Sequence, residues 1–308
     1  MSAPHVAILM AVRNGARHLP AQLDSIAGQE HTNWTLLVSD DGSRDGSSGV
    51  ISGFALRGHR VICLDGPRQG AGANFLSLVR RMQGHVPAKS WLAFADQDDV
   101  WLPDRLARGI AALEGIAGPA LYCSRTWITD ERLEHRRISL PCQRPLGFRN
   151  ALVQNVAAGN TILLNPAGAR LANAAAPEAA RIVMHDWWIY QLLSGAGARM
   201  VHDDRPALLY RQHSGNEIGA NDGAGAKLHR IGQLFAGHYR QWNSVNVAAL
   251  NASAHRLTPE NRALLSGFTD VRRSPLWRRP GALWRLGLYR QSRASTAALW
   301  LAAMLGRL

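Results

Sequence analysis

Short apolar runs alternate with helically spaced apolar positions along the first third of the chain. Val6-Ala7-Ile8-Leu9-Met10-Ala11-Val12 contains no polar residue, the pattern of a strand buried on both faces of a parallel sheet. Arg13-Asn14-Gly15 interrupts it, and Leu19, Leu23 and Ile26 then share one face of a helix. Trp34 to Val38 predicts a second strand, ending at Ser39-Asp40-Asp41-Gly42-Ser43, with a helix through about Ser52. Val61 to Leu64 predicts the third strand. A glycine-rich turn from Gly66 to Gly72 then leads to a helix carrying Phe75, Leu78, Val79 and Met82. Trp91 to Ala95 predicts the fourth strand, followed by a helix from about Pro103 to Leu113. Such alternation argues for the α/β class, with a doubly wound, mainly parallel twisted sheet.

Sheets of this build bind ligands outside the carboxyl ends of their strands. Three polar groups stand at such ends: Arg13-Asn14, Asp40-Asp41 and Asp96-Gln97-Asp98-Asp99. They are expected to converge on one crevice. Carboxylates this close repel one another, a cost that a cation between them removes. A hard divalent cation that also holds phosphate oxygens suits them. The competing explanation is a solvated turn in which an aspartate caps the next helix.

Beyond about residue 115 the pattern is less regular. Ala120 to Ser124 and Thr161 to Leu164 predict strands, Asp186 to Leu193 a helix start, and Met200-Val201 and Leu208 to Tyr210 two shorter strands. Ser214 to Ala226, rich in Gly, Ala and Asn, reads as a mobile loop. The expected division is a catalytic domain over 1–226, with halves of about 1–115 and 116–226, and a helical, basic region over 227–308.

Charge changes the picture of that last region. The chain carries 35 Lys+Arg against 22 Asp+Glu, a net charge of +13, which points to an anionic partner. From Arg272 onward no acid occurs, and the arginines are interleaved with Trp277, Trp284, Tyr289 and Trp300. This composition suits a helix in an anionic membrane interface; stacking on RNA and docking on the chain's own domain are the alternatives. No window has the roughly 20 uninterrupted apolar residues of a membrane-spanning helix. Three cysteines without CxxC spacing give neither a zinc motif nor a disulfide framework. With a start that lacks signal-peptide features, they favour a reducing cytosol.

At this point the residues resemble a family. Val6 to Asn14, the Ser39-to-Ser43 turn and Asp96-Gln97-Asp98-Asp99-Val100-Trp101 are similar to family 2 glycosyltransferases of the GT-A fold. His185-Asp186-Trp187-Trp188 and Tyr210-Arg211-Gln212-His213 extend the likeness towards its bacterial rhamnosyltransferase branch, over about residues 4 to 220. The resemblance implies an inverting, Mg²⁺- or Mn²⁺-dependent transferase moving L-rhamnose from dTDP-rhamnose. The acceptor would be a saccharide, lipid-linked in O-antigen or other cell-surface polysaccharide assembly, and the enzyme peripheral on the cytoplasmic face of the inner membrane. A UDP-hexose or UDP-N-acetylhexosamine donor is the alternative.

Roles follow from the same likeness. Asp96 and Asp98 of the DXD-type block, with His213 as third ligand, would hold the metal on the donor diphosphate. Val12, Asn14, Asp40, Asp41, Arg68, Asn74 and Gln97 would surround the nucleotide sugar, Asp40 accepting a hydrogen bond from the pyrimidine N–H. Asp41 serves equally as a helix-cap turn. Asp186, beside two bulky tryptophans, would take the proton from the acceptor hydroxyl; capping its own helix is the other role open to it. Asp99, Trp101, Asn160, Trp187, Trp188 and Arg211 would contact sugar or acceptor, Arg211 lying near phosphate, although Asp99 as helix cap and the tryptophans as core are equally compatible with the sequence.

Other classes fit less well. Gly70-x-Gly72 lacks the third glycine of a dinucleotide fingerprint. A nucleotidyltransferase would need more cationic groups near the first strand than Arg13. Clustered acids at strand ends repel nucleic acid, so no nucleic-acid partner is expected.

Overall fold

The computed structural model describes residues 3–213 and 238–308. Four strands, β1 (Val6–Val12), β2 (Trp34–Asp40), β3 (Val61–Asp65) and β4 (Trp91–Ala95), lie parallel in the order β3-β2-β1-β4. Between them run α1 (Leu19–Ala27), α2 (Ser47–Leu56) and α3 (Ala71–Arg81). Pairing sets Val12 opposite Asp40 and Met10 opposite Ala95, so the polar segments after β1, β2 and β4 emerge along one edge.

The second half adds antiparallel partners. β5 (Val100–Trp101) and α4 (Arg105–Leu113) precede β6 (Ala120–Thr129), which pairs with the two-residue β7 (Arg137–Ile138). The short helix α5 (Phe148–Ala151) is followed by the 3-10 turn Gly159–Thr161, and β8 (Leu163–Leu164) bridges β4 and β6 antiparallel to both. Then come α6 (Pro166–Ala175), α7 (His185–Gly195) and β9 (Arg199–Arg211), which runs parallel to β6 and antiparallel to β5. The nine-stranded sheet is therefore mixed on this side.

Two differences from the sequence pattern have clear causes. Met200-Val201 and Leu208 to Tyr210 belong to one long strand, because His202 and Asp203 pair with β6 and a bulge at Asp204-Arg205 lets the pairing resume at Pro206. The expected strand over Thr161 to Leu164 shrinks to two residues, as Gly159-Asn160-Thr161 is spent on a turn.

Two apolar layers enclose the sheet. Phe75, Val79, Leu164, Trp188 and Leu192 fill one, and Leu19, Leu23, Ile51, Phe54 and Leu106 the other. The C-terminal helices, α8 (His238–Ala252), α9 (Pro259–Arg273), α10 (Arg279–Arg285) and α11 (Arg293–Met304), form a third cluster with Phe148, Leu152 and Trp187. Leu299, Ala302 and Ala303 of α11 are buried there, so this helix docks on its own chain. Among the described residues no helix is long and apolar enough to cross a membrane. The loop 214–226 and the domain boundary at 226 and 227 lie outside the described residues.

Candidate active site

The end of β1 is tied to the end of β4 by one side chain. Gln97 accepts from the Arg13 N–H at 2.9 Å and donates to the Arg13 carbonyl at 3.1 Å. A β-carbon on Gly15 would overlap this amide, which is why glycine stands there. Gln97 thus acts as a strand-end clamp, with both amide ends spent on backbone.

At the end of β2, Asp40 uses one carboxylate oxygen to accept from the N–H groups of Gly42 and Ser43, at 3.0 and 2.8 Å. Its other oxygen makes no hydrogen bond to the described residues, which leaves Asp40 half-buried with one acceptor facing the crevice edge. Asp41 is buried and fully committed: it accepts from Arg68 N–H at 2.6 Å and Gly70 N–H at 2.9 Å. This fixes the glycine-rich turn, where Arg68 takes a positive φ of 58° and lays its side chain across Gly42. Asn14 is exposed, with φ 49°; its side-chain oxygen accepts from Arg44 N–H at 2.9 Å. The carbonyl of buried Val12 is taken by Asp41 N–H, and Asn74 is buried, donating to the Ser39 carbonyl. Val12, Asn74 and Asp41 are therefore tied into the frame behind the crevice.

The acidic block after β4 divides sharply. Asp98 meets His213 across 2.8 Å, and both side chains are about one-sixth exposed. Asp99 is completely buried, accepting from the Asn160 amide at 2.6 Å and from Arg211 N–H at 3.3 Å. Burial above all, and then the neighbouring Asp96 and Asp98 carboxylates, hold its carboxyl well above the usual carboxylate range. Asp99 does not cap α4, whose N-cap is Asp104 with no side-chain cap bond.

Residues expected at the sugar turn out to be interior ties. Asn160 is buried against Asp99. Arg211 is buried too, donating to the carbonyls of Asp98 and Glu131. The Trp101 ring is covered at 3.5 Å by the Arg105 guanidinium. Trp187 donates to the Ala151 carbonyl at 2.7 Å and faces Tyr239, while Trp188 is 1% exposed in the core. Rings so enclosed offer a sugar no face.

Asp186 stands in the first turn of α7, where one carboxylate oxygen accepts from Trp187 N–H at 2.7 Å and the other from Gly159 N–H at 3.2 Å. Its neighbour Asn160 binds Asp99, so one short turn links the acidic block to Asp186. Asp186 does not cap its helix, whose N-cap is Met184 with no side-chain cap bond, and its carboxylate remains half-buried.

Several members were not legible. Arg105 is buried, donating to the carbonyls of Phe94 and Asn160, and burial lowers its pKa to about 9. His18 stacks on His213 with ring centres 5.0 Å apart, and burial followed by the Arg211 charge depresses its protonation. The His185 ring lies 3.7 Å from that of Phe75, and burial lowers its pKa to about 4. Only Arg105, an i+6 neighbour of Asp99 on a predicted helix, carried any sequence signal, that of a cation close to the acids.

The donor chemistry of Asp98 and His213, carboxylate oxygen and imidazole nitrogen at a partly open site, fits a divalent cation of the Mn²⁺ type. Asp96, Asp98 and His213 do not bring one ligand atom each within 4.8 Å of one another; of the three, the pair drawn together is Asp98 and His213. Asp130, Glu134 and His135 do meet that distance, but the Asp130 carboxylate already closes its own surface turn on the N–H groups of Arg132 and Glu134.

A model described as glycosyl transferase family 2 matches residues 7–169. The chain is 26% identical over 239 residues to the dTDP-rhamnosyl transferase RfbG of Shigella flexneri, across 75% of this chain and 81% of that protein. It is 27% identical over 108 residues to the UDP-Glc:alpha-D-GlcNAc-diphosphoundecaprenol beta-1,3-glucosyltransferase WfgD of Escherichia coli, spanning 35% of this chain and 40% of the relative. Among solved structures, the mannosyltransferase PcManGT from Pyrobaculum calidifontis, in complex with GDP-Man and Mn²⁺, superposes with a TM-score of 0.50. That match is 14% identical and covers 100% of this chain and 86% of the other; the shared fold is the expected GT-A architecture.

Proposed function

The chain belongs to glycosyl transferase family 2, and on that premise we propose that it is an inverting, metal-dependent transferase moving L-rhamnose from dTDP-rhamnose onto a lipid-linked saccharide. The observation that carries this reading is the continuous link from Asp98–His213 through Asp99 and Asn160 to Gly159 and Asp186. This link supports reading Asp98 and His213 as the metal-binding pair and Asp186 as the base, joined through hydrogen-bonded neighbours.

Donor recognition falls to the strand ends. The open oxygen of Asp40 accepts from the pyrimidine N–H, and exposed Arg68 and Asn14 flank the nucleotide. Asp98 and His213, with Asp96 nearby in the chain, would hold Mg²⁺ or Mn²⁺, and such a cation would supply Lewis-acid stabilisation of the departing diphosphate. Gln97, Asp99, Asn160 and Arg211 position these ligands through the bonds described above. Asp186 accepts the proton of the acceptor hydroxyl, whose oxygen attacks the anomeric carbon from the side opposite the nucleotide. The Gly159 N–H keeps the carboxylate aimed.

The rhamnose assignment draws support from the relative RfbG, named a dTDP-rhamnosyl transferase. The lipid-linked acceptor draws it from WfgD, whose name gives a diphosphoundecaprenol-linked acceptor, and from the acid-free, tryptophan-bearing composition of the C-terminus, which suits an anionic membrane surface. Asp186→Asn tests the mechanism. It should keep donor affinity and lose about 10²- to 10⁴-fold in transfer rate, measured as nucleoside diphosphate release with acceptor. Full transfer in that variant removes Asp186 from the base role.

A further inference from the structure

Away from the crevice, a cleft of about 620 Å³ opens between the segment before α5 and the last two helices. Its walls combine Arg144 and Arg293 with Trp284, Tyr289 and Trp300, and no acidic side chain lines it. Arg144 is pre-set: its N–H donates to Gln291 at 2.9 Å and its guanidinium lies 4.0 Å over the Tyr289 ring. Arg293 opens α11, so its charge adds to the positive end of that helix. The rim then changes character. Trp284 is 69% exposed, and Leu276, Trp277, Leu301 and Leu305, on the neighbouring packed segments, are exposed as well. Two cations in an acid-free cleft beside an apolar face match an anionic head joined to a hydrocarbon chain.

The floor of the cleft is coupled to the catalytic frame. Tyr289 accepts from the Asn150 amide at 3.0 Å, and Gln291 N–H donates to Gln154 at 2.8 Å, both partners lying in or just after α5. The Ala151 carbonyl of α5 in turn receives the indole N–H of Trp187, next to Asp186. We infer that this cleft binds the diphosphate of a prenyl-diphosphate-linked acceptor, with its first isoprene units over Trp284 and the exposed leucines. This rests on the lipid-linked acceptor proposed above and assigns the residues that would select it.

The test uses the full chain in EDTA, which removes divalent metal from the crevice, with farnesyl diphosphate as probe and tryptophan fluorescence as readout. Farnesyl diphosphate should bind saturably. The double variant Arg144→Gln/Arg293→Gln should bind it at least about tenfold more weakly, since each charged contact contributes about 1.5–3 kcal/mol, while its donor-induced thermal shift in Mn²⁺ stays unchanged. Trp284→Ala should weaken farnesyl diphosphate but not inorganic pyrophosphate. The inference is overturned if farnesyl diphosphate gives no saturable response, if the double variant binds it as tightly as the wild type, or if farnesol or pyrophosphate alone binds equally well. Farnesyl diphosphate carries no sugar, so its binding is scored independently of transfer. Loss of transfer with intact probe binding would sink the proposed function alone, and transfer to a phosphate-free saccharide without probe binding would sink this inference alone.

Discussion

The ends of β2 and β4 present the same arrangement twice, two adjacent aspartates of which the first stays partly open and the second is buried. Asp40 and Asp98 face the crevice; Asp41 and Asp99 hold the frame behind them. The pairs differ in what the buried member grips. Asp41, itself buried, accepts from backbone N–H groups of a turn whose Arg68 and Gln69 are exposed. Asp99 grips the amide of buried Asn160, and its burial, followed by the Asp96 and Asp98 charges, raises its proton affinity. The first pair is a loop latch, and the second ties the segment of Asp98 and His213 to the turn that holds Asp186.

Substitutions should separate the two pairs. Asp98→Ala is expected to cut kcat/KM about 10³-fold, because several kcal/mol of charge stabilisation leave with the metal, with an unchanged urea midpoint; Asp40→Ala should mainly raise the donor KM. Equal kinetic losses at both positions would erase the distinction.

A titration offers a sharper cut. His185 is favoured neutral in the folded state, with its pKa lowered from 6.5 to about 4 by burial. Its stability contribution is complete above pH 6.5 and is lost as the pH falls from 6.5 through about 4, amounting to about 3 kcal/mol at the acid end. His185→Phe should flatten that slope in urea unfolding. A slope that persists would move the acid sensitivity onto other groups. Asp99 pulls the opposite way, since a raised carboxyl pKa favours the folded state at low pH.

Asp99→Ala strands the Asn160 amide and should cost about 1–3 kcal/mol, read as a lower melting temperature. Asp41→Ala should cost less, because the N–H groups it frees belong to a turn whose Arg68 and Gln69 are exposed to water. A larger loss at Asp41 would reverse the ranking.

The parallel half of the fold was readable because uninterrupted apolar runs have few alternatives to buried strands. β9 was not, since its polar middle is kept extended by pairing with β6, a contact between segments about 80 residues apart. Within the site, Asp40, Asp98, Asp186 and His213 were visible as residue types at strand and helix ends. Burial was invisible: nothing in the sequence distinguishes Asp98 from Asp99, or reveals that Arg105 covers Trp101 and that Trp187 and Trp188 face inward.

The central claim is most directly tested by titrating dTDP-rhamnose calorimetrically into wild type and Asp98→Ala, each with Mn²⁺ and with EDTA. The account predicts saturable binding in the wild type with Mn²⁺ and its loss, by at least about tenfold, in EDTA or in the variant. Equal affinity in all four titrations, or no binding of dTDP- or UDP-sugars under any of them, would contradict it.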